Sequence, residues 1–306
     1  MLSRAAERVY WTGRYLERAE NTARIVQQYS HLLLDLPEEA GASWEELAPV
    51  FDGGGGVPDG VSNVLRYMLV DRNNPSSLRV SLQMARDNIR NVRDLLPIES
   101  WESVNELYRF SIETLDSTRL DDEHFEILAQ CIGRCQQLGG CLSNTMSHRS
   151  PYQFLTLGQQ IERADMTTRI IDVAVSYMER GDRLAKRYAS TLWTNLLKTV
   201  GAFQMYRQYV QPQVNGSKIV NFLVNDVTFP RSVSFCMQKA VAAAHSLPRG
   251  AAAIAQLAAL EEALTRHKVA DMDAMAVSEW MDEIQVVLGL IHDCVATTWF
   301  EIEAHG

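Results

Sequence analysis

A sequence block that occurs twice limits what this chain can fold into more than any other feature. Gly13-Arg14-Tyr15-Leu16-Glu17-Arg18-Ala19-Glu20-Asn21-Thr22-Ala23-Arg24-Ile25 returns 145 residues later as Gly158-Gln159-Gln160-Ile161-Glu162-Arg163-Ala164-Asp165-Met166-Thr167-Thr168-Arg169-Ile170. At the same offset Met1 and Arg4 match Met146 and Arg149. Later matches keep this order while the offset drifts: Trp44 and Leu47 with Trp193 and Leu196, then Asp71, Pro75, Ser77 and Gln83 with Asp226, Pro230, Ser232 and Gln238. Near the ends, Cys141 and Thr145 answer Cys294 and Thr298. A drift of a few residues is what small loop insertions leave in a tandem duplication. The chain reads as two related halves, roughly residues 1–150 and 151–306.

Both halves read as helical. Over residues 3–35, Leu16, Ala19, Ala23, Val26 and Leu33 recur at helical three-and-four spacing, and Leu157, Ile161, Ala164, Ile171 and Ala174 repeat the pattern over 151–187. Further helices are expected near 44–50, 62–71, 75–95, 99–116, 121–146, 189–210, 218–225, 230–247, 250–266 and 273–303. Breaks fall at the Gly53–Gly56 run and at Pro212 to Gly216, while Pro75 and Pro230 suit first helical turns, with Asn74 as a cap. The junction from Ser143 to Pro151 is too short for a linker. The expected architecture is an all-α helical bundle of two tandem related halves with an internal pseudo-twofold, forming one domain over 1–306.

Composition narrows the function classes. A formal net charge of −9 argues against broad nucleic-acid binding, which needs a basic face. No apolar run approaches the roughly 20 residues of a membrane span, and the first residues carry charges where a secretory leader would be apolar. Five cysteines without a Cys-x-x-Cys pair read as reduced, mostly buried thiols. A cytoplasmic protein is expected.

The repeated block carries the candidate chemistry. At 100° per residue, Gly13, Glu17, Glu20 and Arg24 fall within about 60° on one helix face. Gly158, Glu162, Asp165 and Arg169 form the corresponding face of the second half. Glycine in a helix costs about 1 kcal/mol relative to alanine, so its repetition calls for a close approach by another backbone or a ligand. The apolar residues lie on a neighbouring face, which puts the acidic stripe at the edge of the core. Glu20–Arg24 and Asp165–Arg169 are i,i+4 pairs, each worth about 0.2–0.5 kcal/mol if solvated. Glu17, Glu20, Arg24, Glu162, Asp165 and Arg169 are therefore candidates for a salt-bridge network across the twofold, for a ligand site, or for a solvated face.

A metal is the weaker version of the ligand reading. Glu17, Glu20, Glu162 and Asp165 are oxygen ligands, suited to magnesium, manganese or calcium, but the arginines beside them suit a carboxylate or phosphate ligand better. No cofactor is expected. Arg4, Arg149, Asp71, Asp226 and Arg231 are secondary candidates, Asp71 and Asp226 because each precedes a proline-started helix. Gly53–Gly56 lacks the Gly-Lys-Ser/Thr of a phosphate loop, and no Ser or Cys nucleophile can be assigned to His31, His124, His148 or His292 from spacing.

Met1-Leu2-Ser3-Arg4 and the run from Tyr10-Trp11 through Gly13 to Arg24 resemble the opening of the bacterial alpha-E domain family, a helical family. The resemblance continues through Asp71-Arg72-Asn73-Asn74-Pro75-Ser76-Ser77, Ala85-Arg86-Asp87-Asn88, the second Glu162-Arg163-Ala164-Asp165 block and Phe229-Pro230-Arg231-Ser232-Val233. It carries a glutamate-arginine motif onto Glu17, Arg18, Glu20, Arg24, Glu162, Arg163, Asp165 and Arg169, which adds Arg18 and Arg163 to the candidates. It also implies a genomic setting beside a circularly permuted ATP-grasp ligase and a transglutaminase-like cysteine peptidase, a system that makes or modifies peptides through amide bonds. Two functions follow as expectations: a non-catalytic partner that presents a peptide or amino-acid substrate to the ligase, or an enzyme, metal-dependent or not, acting on amide groups through the acidic stripes. A homodimer is a further expectation. The second block departs from the first at Gln159, Gln160 and Asp165, so the halves need not bind alike.

Overall fold

Two long helices with buried polar residues form the middle of the molecule. The computed structural model describes residues 2–37, 44–51, 61–117, 120–179 and 183–301. Among these the chain is helical and contains no strand. The first long helix, α1 (Ser3–Asp35), packs on α4 (Leu78–Asn91), α6 (Leu120–Thr145) and α7 (Ser150–Glu179), with α5 (Ile98–Ser117) bridging α4 and α6. In turn α7 packs on α11 (Val233–His245) and α13 (Ala274–Trp299), with α12 (Ala251–Leu264) between those two. Shorter helices fill the connections: α2 (Ala48–Phe51) after a 3-10 turn at Trp44–Leu47, α3 (Val61–Leu69), α8 (Arg183–Thr199), α9 (Phe203–Tyr209) and α10 (Gly216–Asn225). The Gly53–Gly56 break lies outside the described residues.

Glycine decides how closely α1 and α7 approach. A Cβ on Gly13 would fall closer than 3.0 Å to the Leu155 carbonyl oxygen, and one on Gly158 equally close to the Tyr10 carbonyl oxygen. Each glycine thus sits against the residue three positions before the other, and the two backbones touch. The repeated glycine supplies the close approach that its cost in helix propensity implies. A second glycine matters for conformation. Gly201, at φ 66°, ends α8 with Ala202 N–H donating to Leu197 O at 2.7 Å and Gly201 N–H to Lys198 O at 3.0 Å. The continuous helix expected over 189–210 therefore divides into α8 and α9.

Helix starts also differ from the sequence expectation. The caps of α4 and α11 are Ser77 and Ser232, whose hydroxyls accept from Val80 N–H and Phe235 N–H at 3.2 Å each. Asn74 instead closes the turn before α4, accepting from Ser76 N–H at 2.9 Å, and Pro75 and Pro230 precede the helices rather than opening them. A Ser hydroxyl reaching a backbone N–H three residues on satisfies a helix start directly, and it prevails over the proline signal here.

Candidate functional site

The glutamates of the acidic stripe, Glu17, Glu20 and Glu162, lie inside the protein rather than at the edge of its core, while Arg24, Asp165 and Arg169 are half-buried. Because α1 is covered on several sides, Glu17 and Glu162 keep only 1% of their side-chain surface exposed. Two buried carboxylates need strong partners, and the arginine next to each glutamate in sequence serves the other helix. Arg163 on α7 forks onto Glu17 on α1, with Nε to Oε1 at 2.8 Å and Nη2 to Oε2 at 2.7 Å. Arg18 on α1 forks onto Glu162 on α7, with Nε to Oε1 at 2.5 Å and Nη2 to Oε2 at 3.0 Å. Each Glu-Arg pair is thus a two-way clamp between the helices that Gly13 and Gly158 bring together.

A further donor joins each clamp. Arg14 Nε reaches Glu162 Oε2 at 2.6 Å, and Gln159, its match in the repeat, reaches Glu17 Oε2 at the longer 3.4 Å. On the Glu17 side the balance is met by Arg231, from the turn before α11. Its Nη1 donates to Glu17 at 3.0 Å and to Asn21 at 2.7 Å, and its Nη2 to Glu20 at 2.7 Å. The helical i,i+4 pairs form as spaced, Arg24 to Glu20 and Arg169 to Asp165 at 2.8 Å each.

These partners fix the charge state. Burial by itself would raise the Glu17 carboxyl, but Arg163 and Arg231 outweigh it and hold it well below its ordinary value. Glu162 behaves in the same way: Arg18 and Arg14 overcome burial and bring it down to about 2. Arg231 is lowered too, which for a guanidinium disfavours the charged form. Burial lowers it, Glu17 offsets part of that, and the nearby Arg163 and Arg24 push it down further. Among the described residues no group of three or more His, Cys, Asp or Glu is placed to hold a metal ion, and all four candidate metal carboxylates are engaged by arginine.

A pH prediction follows. With the folded Glu162 near 2 and its ordinary value at 4.5, the unfolded chain takes up the proton first on acidification. The clamp contributes fully near neutral pH, and that contribution, about 3 kcal/mol, is lost as pH falls from about 4.5 towards 2. Urea midpoints measured between neutral pH and pH 3 should fall steeply for the native protein and more gently for Glu162→Gln. Parallel curves would mean that Glu162 does not titrate in this way.

Beside Glu17 lies a cleft of about 320 Å³ between α1, α6, α7 and the turn at Pro230–Arg231. Arg163 and Arg231, 14% and 13% exposed, form part of its wall with Glu17 and Glu20. Cys135 lines it too, but burial holds that thiol well above its ordinary value, away from a reactive thiolate. Of the secondary candidates, Arg231 joins the network, whereas Arg4 and Arg149 stand exposed. Asp71 and Asp226 shape turns, accepting from Asn73 N–H at 2.8 Å and from Thr228 N–H at 2.7 Å. His124 is buried on Ser30, His292 bonds the Tyr10 hydroxyl at 2.9 Å, and His31 and His148 are exposed against Phe125 and Tyr152. Sequence reasoning missed Arg14 and Asn21 as members of the network and Gln136 and Gly139 as cleft wall. The i−4 and i+4 spacing of Arg14 and Asn21 from Arg18 and Glu17 was the available signal.

A family model described as a predicted alpha-helical domain with a conserved ER motif matches residues 1–300. Glu17-Arg18 and Glu162-Arg163 are Glu-Arg pairs that meet across α1 and α7. No curated protein and no solved structure matches the chain. No helix among the described residues is long and apolar enough to cross a membrane.

Proposed function

We propose, from the premise that the chain belongs to the Alpha-E family, that it is a non-catalytic helical partner in a peptide-making or peptide-modifying system. In this reading it holds a peptide or amino-acid substrate for a circularly permuted ATP-grasp amide ligase, with a transglutaminase-like peptidase in the same system. The observation that carries the reading is the state of the motif carboxylates. General acid–base work calls for a pKa near the working pH, whereas Glu17 and Glu162 are locked as carboxylates beneath paired guanidiniums. The enzyme alternative, with or without magnesium, manganese or calcium, would have to break a buried clamp before using either glutamate.

The same pairs support a reading of the architecture. We read α1 and α7 as related by an internal pseudo-twofold, because Gly13 and Gly158, and Glu17-Arg18 and Glu162-Arg163, make reciprocal contacts. We take residues 1–306 as one domain, since the clamp joins the two halves through buried charge. Such a rigid frame suits a presenting subunit.

The test is to mix the purified chain with the ATP-grasp ligase at micromolar concentration and analyse it by size-exclusion chromatography. The expected result is a stable complex, and no turnover of peptide or ATP by the chain alone. Separate elution under gentle conditions, or turnover by the isolated chain, would refute the proposal.

A further inference from the structure

The duplication provides an internal comparison for the cleft, because larger side chains stand at several of the matching positions in the other half. By the offset that relates α1 to α7, cleft residues Leu155, Thr156 and Gln159 correspond to Tyr10, Trp11 and Arg14. By the offset that relates Cys141 to Cys294, Gly139 corresponds to His292. In that half the larger side chains pack on one another, although Gly289 stands where the cleft half has Gln136. His292 bonds Tyr10 and lies edge-on to Trp11 at 5.1 Å, while Arg14 sits over the Trp11 ring at 5.3 Å. In the cleft half a leucine, a threonine, a glutamine and a glycine leave about 320 Å³ open, within the range of small-molecule sites.

Gly139 has no packing reason to be glycine. A Cβ built there meets nothing within 4 Å, in contrast to Gly13 and Gly158, and glycine is among the poorest helix formers. What its small size does is keep the wall of the cleft back.

Charge then indicates what would enter. The wall holds two carboxylates, Glu17 and Glu20, and two guanidiniums, Arg163 and Arg231, and Arg24 on Glu20 behind it gives the network as a whole one surplus positive charge. Arg163 and Arg231 line the cleft; the Nε–Nη2 edge of Arg163 is taken by Glu17, which leaves the edge of Nη1, where the contact to the Pro230 carbonyl is a long 3.5 Å. A guanidinium fork matches the planar, two-oxygen geometry of a carboxylate. Gln136 and Gln159 add amide donors and acceptors along the same wall.

We infer that this cleft binds the carboxylate end of an amino acid or short peptide, seated on Arg163 and Arg231, and that the other half, with Trp11, Arg14 and His292 in place of Thr156, Gln159 and Gly139 and Ser76 in place of Arg231, does not. The inference rests on the proposed substrate-presenting role for its choice of peptide, and it places the substrate in that role.

Retention by equilibrium dialysis tests it, using a random tetrapeptide library with free C-termini, the same library amidated, and inorganic phosphate alone. Wild-type protein should retain the free-acid library about tenfold more than the amidated one. Gly139→His and Thr156→Trp, each of which restores a filling residue and leaves the clamp untouched, should lower retention about tenfold with the melting temperature unchanged. Equal retention of both libraries, no retention by wild-type protein, or full retention by whichever of the two variants melts like wild type would overturn the inference. Phosphate retained as well as the free-acid library would assign the cleft to phosphate and overturn it too. Ligase association is measured on wild-type protein without peptide. A complex with an empty cleft would sink only this inference, and a loaded cleft without a complex only the partner role.

Discussion

Replacing Glu17 by glutamine is expected to lower the unfolding free energy by about 3–5 kcal/mol, the usual cost of stripping one partner from a buried ion pair. Glu17 is 1% exposed and accepts from Arg163 and Arg231, so the variant leaves two buried guanidiniums facing an amide. The cost is therefore set by Arg163, which loses its carboxylate while Arg231 keeps Glu20, as well as by the lost hydrogen bonds. The exposed pair Glu262–Arg266, at 73% and 67% exposure, is the control: Glu262→Gln should change stability by less than about 1 kcal/mol. Urea unfolding of both variants checks this, and similar small losses would show that the clamp adds no more than a surface pair.

The second large effect has a sign that helix propensity alone gets wrong. Gly13→Ala and Gly158→Ala each put a better helix former into a long helix, which by itself would gain about 1 kcal/mol. The added methyl group of each would nevertheless run into a carbonyl oxygen of the facing helix, Leu155 or Tyr10. Backbone cannot move aside as a flexible side chain can, so α1 and α7 must separate, and that loosens the clamp as well. The combined variant is expected to lose about 3 kcal/mol or more, at or beyond the upper end of ordinary overpacking. Gly133→Ala on α6, where a Cβ meets nothing within 4 Å, should instead gain up to about 1 kcal/mol. Thermal melts of the four variants decide the matter: a gain at Gly13 and Gly158 would mean that the helices do not touch there.

Local features of this fold were legible in the sequence. The span of α1, the close approach at the repeated glycines, and the Glu20–Arg24 and Asp165–Arg169 pairs all depend on spacing within a single helix. The partners of Glu17 were not legible. Arg163 and Arg231 lie 146 and 214 residues away, and helical periodicity says nothing about which side chains meet across helices. For the same reason the sequence places the stripe at the edge of the core: an apolar face on α1 identifies one buried side, while α4, α6 and α7 cover others. The cleft left even less trace. Its wall at Gly139 and Thr156 is made by side chains that are small, and small residues become informative only beside Trp11 and His292 in the other half.

The central claim is that each glutamate of the repeated motif pairs with the arginine of the other copy, not with its own neighbour. A double-mutant cycle measures this most directly, with Glu17→Gln and Arg163→Gln singly and together, beside the same cycle on Glu17 and Arg18. The structure predicts a coupling of about 1.5–3 kcal/mol for Glu17 with Arg163 and close to none for Glu17 with Arg18. Coupling of Glu17 to Arg18 without coupling to Arg163 would contradict the clamp.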